Sequence, residues 1–250
     1  MQRLAERSAL AEQSIFFLPE CGSTMDEVRA LVSEPAHHGT VVTTDFQRAG
    51  RGRRAGRSWH APAGSSLMFT LALYRPEHPA RRSMQMALAL AMVLERRYEL
   101  EPQIKWPNDV LVRDKKIAGI LADSEGEWVY LGVGVNLTQS SFPDEIADRA
   151  ISLSGAVGHE IEGSRAARLA LLQELLSQFA AVSAGEVEFA AGIGARLWRR
   201  GQSVSVARVG GGTVKGVLEG VSRDGLLLIN GEQRYELAAG ELRYGSEVSS

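Results

Sequence analysis

A run of arginines and glycines near residue 50 most constrains what this chain can fold into. Five arginines and three glycines lie within the ten residues 48–57. Guanidinium groups are costly to bury unpaired, and glycines weaken helices and strands, so the run cannot build core. Backbone N–H groups and forked guanidiniums do bind anions well. The run therefore predicts an anion-binding loop.

The composition is that of an ordinary globular chain. Its 250 residues are 44% hydrophobic and 23% charged, enough for one sizeable core and a small satellite domain. The net charge of -2 argues against a general nucleic-acid-binding surface, which needs a clearly basic domain. No apolar stretch approaches the ~18 residues that cross a bilayer, so we expect no membrane partner.

Cysteine and histidine usage bounds the compartment and the metal chemistry. Cys21 is the single cysteine, so an intrachain disulfide cannot form and a reducing compartment is indicated. Residues 1–20 lack the apolar core of a signal peptide, and we expect a cytoplasmic protein. The five histidines show no metal-ligand spacing, so no protein-bound metal is predicted.

Hydrophobic patterning predicts an α+β chain. Strands are predicted over 40–46, 67–74, 103–106, 110–112, 117–122 and 129–136, with a tight turn over 113–116. Helices are predicted after a Ser23-Thr24 cap and over 84–94, 165–182 and 187–198. After Arg200, short strands at 203–209, 213–221, 226–229 and 234–237 alternate with Gly-rich turns and predict a small β-barrel. We therefore expect two domains, 1–198 and 199–250.

Four further motifs accompany the arginine loop. They are Ser23-Thr24, 105–109 (KWPND), 116–121 (KIAGIL) and 132–136 (GVGVN). In this order and at these intervals, residues 23–136 resemble biotin protein ligase, and the C-terminal β-domain also looks like that of the family. The resemblance implies a mixed sheet with helices, as in the class II synthetase and biotin ligase catalytic domains, followed by a small SH3-like barrel.

The resemblance also implies a biotin site. Two hydroxyls at a helix N-terminus suit a neutral ureido oxygen, and glycines let strands approach a flat bicyclic ligand. The implied biotin contacts are Ser23, Thr24, Met25, Gln47, Gly50, Arg51, Gly52, Arg53, Lys116, Gly119, Gly132 and Gly134. Met25 stands where the family usually has Asn. The loop is one residue longer than usual, because Arg54 and Ala55 both separate Arg53 from Gly56.

The nucleotide site is implied in the same way, with Trp59 as the surface that stacks on adenine. The implied ATP or adenylate contacts are Arg51, Arg53, Trp59, Lys105, Asn108, Lys116 and Asn136. The implied catalytic residues are Lys116, Arg51, Arg53 and Asp109. Two forked cations and a lysine can neutralise both reacting anions, and Asp109 can orient an amine or a lysine.

The implied reaction has two steps. The biotin carboxylate attacks the α-phosphorus of ATP, with Mg²⁺ carried on the phosphates, and forms biotinyl-5′-AMP and pyrophosphate. A lysine of a biotin carboxyl carrier protein domain then attacks this adenylate and releases AMP. The family's catalytic domains often pair through an edge strand, so a homodimer is also implied.

Several alternatives stay open at this level. A lipoate or octanoate ligase is a relative, but the arginine loop and KWPND favour biotin. A biotin-sensing repressor needs a helix-turn-helix domain, for which the 22 residues before Ser23 are too few. Ser23-Thr24 could serve only as a helix cap, Trp59 could close the loop against the core, and the glycines at 132 and 134 could mark a bulge.

Overall fold

The computed structural model describes residues 1–7, 14–53, 56, 58–185, 187–209 and 211–244. Its strands are β1 (Gln2–Arg7), β2 (Ser14–Cys21), β3 (Val41–Gln47), β4 (Ser66–Tyr74), β5 (Gln103–Lys105), β6 (Asp109–Val112), β7 (Lys115–Glu125), β8 (Trp128–Asn136), β9 (Ser203–Ala207), β10 (Thr213–Val221), β11 (Leu227–Asn230), β12 (Arg234–Leu237) and β13 (Glu241–Arg243). Its α-helices are α1 (Thr24–Leu31), α2 (Arg82–Tyr98), α3 (Leu153–Val157), α4 (Arg165–Ala184) and α5 (Phe189–Arg196). Among the described helices, none has the length and apolar character needed to cross a membrane.

The main sheet is mixed. Its eight strands lie in the order β1-β2-β3-β4-β8-β7-β6-β5. β2 and β3 pair in parallel, whereas the other neighbours pair antiparallel. β4 and β8 lie in the middle and pair from Ser66–Asn136 to Tyr74–Trp128. Residues at the centre of these strands are therefore flanked by backbone on both sides.

Helices cover both faces of this sheet. Successive residues of a strand point to opposite faces, so each strand contributes apolar side chains to both. Val41, Leu71 and Leu131 belong to the main core with α2, which is apolar almost all round and packs against α4. Val42 and Tyr130 lie on the other face, in a smaller cluster with α1. The face that carries α1 is the face on which the site described below is built.

The C-terminal strands form a second sheet, which is antiparallel with the order β12-β11-β10-β9-β13. Hydrogen bonds join this second sheet to residues that precede it in the chain. The indole Nε1 of Trp106 donates to the carbonyl of Gly225 at 3.3 Å, and the hydroxyl of Tyr244 donates to the carbonyl of Trp198 at 3.3 Å. The sequence-predicted α+β class, with a separate C-terminal β-sheet, is confirmed.

Most predicted elements are confirmed, with ends shifted by a few residues. The turn predicted over 113–116 is shorter: only Arg113 and Asp114 have positive φ, 53° and 61°, and β7 already begins at Lys115. The sequence analysis missed β1, β2, α3 and β13. β1 is a charged edge strand, and β13 has three residues, so neither shows a clear hydrophobic period.

Candidate functional site

A pocket with about 530 Å³ of empty space, open solvent included, lies on the α1 face of the main sheet. The N-terminus of α1, the arginine loop and the middle of β4, β7 and β8 meet there. Its walls are formed by Ser23, Thr24, Met25, Gln47, Arg51, Gly52, Arg53, Trp59, Phe69, Thr70, Asn108, Lys116, Gly119, Ile120, Leu121, Gly132, Val133 and Gly134. Thirteen of these are residues that the sequence analysis assigned to the site.

One end of the pocket is a hydrogen-bonded group of polar side chains. Ser23 is the N-cap of α1, and its hydroxyl accepts from the Met25 backbone N–H at 3.3 Å. The N–H and hydroxyl of Thr24 both donate to Oε1 of Gln47, at 2.8 and 3.1 Å. The hydroxyls of Thr24 and Thr70 lie 2.8 Å apart. The predicted cap is confirmed, and these contacts hold the polar atoms in fixed positions.

Met25, which replaces the expected Asn, is almost fully buried, with 3% of its surface exposed. It packs in the apolar cluster with Val28 and Tyr130 and also lines the pocket. A Cβ built on Gly132 would lie 3.1 Å from Cε of Met25. This wall of the pocket is therefore apolar and closely packed.

The arginine loop is closed at its base. The N–H of Trp59 donates to the carbonyl of Gly50 at 3.0 Å, and Arg51 forms a bridge with Ser58. A Cβ on Gly50 would lie 2.5 Å from the carbonyl oxygen of Trp59, so only glycine fits at this close approach. Gly50 therefore shapes the loop without lining the pocket. Arg54, Ala55 and Arg57 lie outside the described residues.

Two arginines of the loop line the pocket and are held from different directions. Nη2 of Arg51 donates to both carboxylate oxygens of Asp26, at 2.8 and 2.6 Å. Nη2 of Arg53 donates to the carbonyl of Gly240, at 3.2 Å, so the C-terminal sheet contacts the loop. Both guanidiniums therefore stay at the pocket while partnered by groups outside it.

Lys116 brings a third cation to the pocket. Its Nζ lies 2.7 Å from Oδ1 of Asp109 on the neighbouring strand, and both side chains are partly exposed. Lys115, next to it, is not among the residues that line the pocket. Asp109, the ion-pair partner of Lys116, does not line the pocket either. An amine held in this way can face an anion while its own position is set by the carboxylate.

Glycines form the floor of the pocket, and the indole of Trp59 lies on it. Gly119 and Gly134 are direct cross-strand partners on β7 and β8. A Cβ on Gly134 would lie 2.5–2.9 Å from three indole atoms of Trp59, and one on Gly119 would lie 3.4 Å from Cζ3. Nζ of Lys116 is 5.9 Å from the centre of the same ring. Gly134 thus admits the flat ring where any other residue would collide with it, whereas a Cβ on Gly119 would first meet Nζ of Lys116, at 2.9 Å.

Two further predicted residues, besides Gly50 and Asp109, do not line the pocket. Nζ of Lys105 lies 4.6 Å from the ring centre of Trp198, at the junction with the C-terminal sheet. Asn136 is 5% exposed, and its amide donates to the carbonyls of Lys116, at 3.4 Å, and Ile151, at 3.2 Å. Asn136 therefore holds the strand that carries Lys116 and does not line the pocket.

The sequence analysis missed five lining residues: Phe69, Thr70, Ile120, Leu121 and Val133. Of these, Thr70 carries the clearest signal, because it is a polar residue in the middle of the apolar strand β4 and is fully buried. A buried hydroxyl in a central strand needs a partner. The other four are apolar and are indistinguishable by sequence from core residues.

No group of three or more His, Cys, Asp or Glu side chains among the described residues is arranged to hold a metal ion. The carboxylates of Asp26 and Asp109 are paired with two of the cations that line the pocket, Arg51 and Lys116, at 2.6 and 2.7 Å. The donor set of the pocket therefore does not fit a metal bound by the protein alone.

Comparison with known proteins places this site in a family. Residues 21–136 match the profile of the biotin/lipoate A/B protein ligase family. The bifunctional ligase/repressor BirA of Bacillus spizizenii is 30% identical over 249 residues, which cover 92% of this chain and 74% of that protein. The biotin–[acetyl-CoA-carboxylase] ligase of Mycobacterium tuberculosis is 32% identical over 232 residues, 89% of this chain and 86% of that protein.

A solved structure extends the likeness to the whole fold. Biotin protein ligase from Aquifex aeolicus, in complex with biotin and ATP, is 29% identical with a TM-score of 0.80, and the match covers 92% of this chain and 99% of that one. The chain therefore belongs to the biotin/lipoate A/B protein ligase family, among its biotin protein ligases.

Proposed function

We propose that this protein is an ATP-dependent ligase that activates biotin as biotinyl-5′-AMP and transfers it to a lysine of a biotin carboxyl carrier protein domain. The observation that carries the proposal is one pocket in which Arg51, Arg53 and Lys116 surround a floor made by the paired glycines Gly119 and Gly134. The relatives named as biotin ligases, and the Aquifex structure with biotin and ATP, support the choice of substrates.

Biotin binding uses the polar end and the glycine floor. A neutral bicyclic ring can lie on Gly132, beside the Trp59 indole that covers Gly134, and direct its ureido oxygen towards the hydroxyl of Ser23. Gln47 accepts both hydrogen bonds from Thr24, which fixes the Thr24 hydroxyl oxygen as an acceptor for a ureido N–H before the ligand arrives. Fixed polar atoms lower the cost of ordering on binding. The carboxylate at the end of the biotin tail then reaches the cations.

In the first step, the biotin carboxylate attacks the α-phosphorus of ATP and an acyl–phosphate bond forms. The bond between the α-phosphorus and the oxygen that bridges to the β-phosphorus breaks, and pyrophosphate leaves. Two anions must approach each other, and their repulsion opposes the reaction. Arg51, Arg53 and Lys116 neutralise both partners and the charge that builds on the phosphoryl oxygens in the transition state. Asp109 orients Lys116 at 2.7 Å.

In the second step, the ε-amine of the carrier lysine attacks the acyl carbon, an amide forms, and AMP leaves. The amine loses its proton to bulk water as the bond between the acyl carbon and the phosphate oxygen breaks. Asp109 is the carboxylate that we assign to orienting that amine or Lys116. Water would hydrolyse the mixed anhydride, so a loop that closes over the adenylate protects it. Gly52 and the adjacent arginines belong to that loop.

The nucleotide is expected on the side of Trp59, Asn108 and Lys116, with Lys105 and Asn136 as supporting residues. The backbone of Asn108 is fixed, since its carbonyl accepts from the N–H of Ile120 at 2.9 Å. Mg²⁺ is proposed to travel on the phosphates of ATP, because Asp26 and Asp109 are already paired with cations.

We further propose that residues 1–198 form the catalytic domain and 199–250 an SH3-like domain. The chain changes from helices to short strands between α5 and β9. The main sheet is built from residues before that point and the second sheet from residues after it. The bond from Arg53 to Gly240 gives the second domain a contact with the arginine loop. The cytoplasmic location and the homodimer stay predictions from the sequence.

Pyrophosphate exchange tests the proposal. Labelled pyrophosphate should enter ATP only when biotin is added, and lipoate or octanoate should neither support exchange nor compete at equal concentration. A purified carrier domain should then gain one biotinyl group, seen by mass spectrometry. A carrier variant with its acceptor lysine changed to arginine should gain none. Exchange driven by lipoate, or none with biotin, would overturn the proposal.

A further inference from the structure

Asp26 holds one edge of Arg51 at the mouth of the pocket. Both carboxylate oxygens of Asp26 accept from the same nitrogen, Nη2 of Arg51, at 2.8 and 2.6 Å. A guanidinium has five N–H groups on three nitrogens. Among the described residues, every side-chain hydrogen bond of Arg51 uses Nη2, so Nε and Nη1 remain for a substrate anion.

The position of Asp26 is set by its helix. Asp26 lies in the first turn of α1, two residues after Thr24, and a carboxylate is favoured there by the helix dipole. Arg29 lies 3.6 Å away on the same helix, but its closest partner is Asp123, at 2.5 Å. The carboxylate of Asp26 is thus a fixed point on a rigid element, close to the polar end of the pocket.

Arg51, in contrast, lies between Gly50 and Gly52 in the arginine loop. Its side chain is 46% exposed and that of Asp26 is 50% exposed. An ion pair as exposed as this contributes little to folding stability. Orientation is a different matter, because a residue that must meet a reacting group gains from being held in place before the reaction.

We propose that Asp26 is a positioning residue for Arg51, which it holds by Nη2 so that the other nitrogens face the carboxylate and phosphate that are joined in the pocket. This inference rests on the proposed function of the pocket. It assigns a task to a residue outside the set that lines the pocket. It also distinguishes Asp26 from Glu27, the second acid in the first turn of α1.

The test compares Asp26→Asn with Glu27→Gln in biotin-dependent pyrophosphate exchange. Both changes remove one negative charge from the same helix turn, so they alter the helix dipole interaction alike. We expect Asp26→Asn to lower kcat/KM for biotin about three- to fivefold, the change typical of an exposed ion pair. Glu27→Gln should stay near wild type, and the thermal midpoints of the two variants should agree.

A double-mutant cycle supplies a readout that a merely structural role would not move. In an Arg51→Ala background, Asp26→Asn should cause no further loss, because its partner is already absent. Equal losses in both backgrounds would overturn the inference, and so would a gain in kcat/KM or wild-type values for Asp26→Asn. Absence of biotin-dependent exchange in the wild-type enzyme would overturn the proposed function, and this inference with it.

Discussion

Nζ of Lys116 lies 2.7 Å from Oδ1 of Asp109. Lys116 and Gly119 both line the pocket, although the regular alternation of side chains along a strand would place them on opposite faces of the sheet. Leu111 pairs with Lys116 and Val110 with Ala118, which leaves Ile117 as an extra residue on β7. Residues three apart on a regular strand point to opposite faces, and a bulge reverses that phase. The bulge therefore brings both Lys116 and Gly119 to the pocket.

Lys116→Ala should slow adenylate formation more than it weakens biotin binding, because the charge that Lys116 neutralises develops mainly in the transition state. Single-turnover formation of biotinyl-5′-AMP and calorimetric binding of biotin measure the two effects separately. Lys115→Ala is the matched control and should behave like wild type. A loss of affinity with an unchanged rate would contradict the role of Lys116.

Arg51→Ala and Arg53→Ala should each remove charge-assisted hydrogen bonds of about 1.5–3 kcal/mol. Adenylate formation should fall, and free adenylate should escape faster, which release of labelled adenylate on a gel-filtration column would measure. Arg48→Ala is the control, since Arg48 pairs with Glu20 at 2.6 Å and does not line the pocket. Normal retention in both loop variants would rule out the anion-binding role.

Gly134→Ala should weaken biotin binding. The added Cβ would lie 2.5 Å from Cε2 of Trp59, so the indole or the strand must shift, and such overpacking costs about 1–3 kcal/mol. Calorimetric titration with biotin measures the change. Gly220→Ala is the control, because a Cβ there meets nothing within 4 Å. Equal affinity in the two variants would show that the floor tolerates side chains.

Arg168→Ala should destabilise the fold far more than Arg165→Ala, although both arginines pair with Asp45. Arg168 is 8% exposed and also donates to the carbonyl of Gly64 at 2.9 Å, whereas the side chain of Arg165 is 49% exposed. Breaking a buried pair costs about 3–5 kcal/mol, and an exposed pair contributes about 0–1 kcal/mol. Urea unfolding measures both, and similar losses would refute the distinction.

The stability of the protein should fall in mild acid partly through His38. Burial, assisted by the nearby charge of Arg82, lowers the pKa of His38, and its Nδ1 accepts from the Tyr74 N–H at 3.0 Å. A lowered pKa in the folded state means that the contribution is complete above the unfolded pKa, about 6.5, and is lost as the pH falls below it.

Urea midpoints at pH 7.5 and 5.5 test this expectation. The wild type should lose more stability between the two pH values than His38→Gln, which keeps an acceptor but does not titrate. His159→Gln, at an exposed position, should lose as much as the wild type. Identical losses in wild type and His38→Gln would show that His38 does not contribute.

Residue types alone predict the anion-binding arginine loop and the Ser23-Thr24 helix cap. The place of the Ser23-Thr24 pair and of the glycines of β7 and β8 in a ligand site is implied by the resemblance to biotin protein ligases, and these residues lie around one pocket with the loop. Thr70 was not assigned, because a threonine within an apolar strand resembles ordinary β-sequence. The pair Asp26–Arg51 was also missed, since the two residues are 25 positions apart and neither identifies the other.

Local chemistry thus decides what each segment can do: a run rich in arginine and glycine cannot enter a core, and two hydroxyls before acids begin a helix. Those tendencies act over a few residues and do not depend on the rest of the chain. Strand register and one bulge decide which face of β7 carries Lys116. They also place Gly119 opposite Gly134. Register is set by packing between distant segments, so the geometry around the reacting atoms exists only in the folded chain.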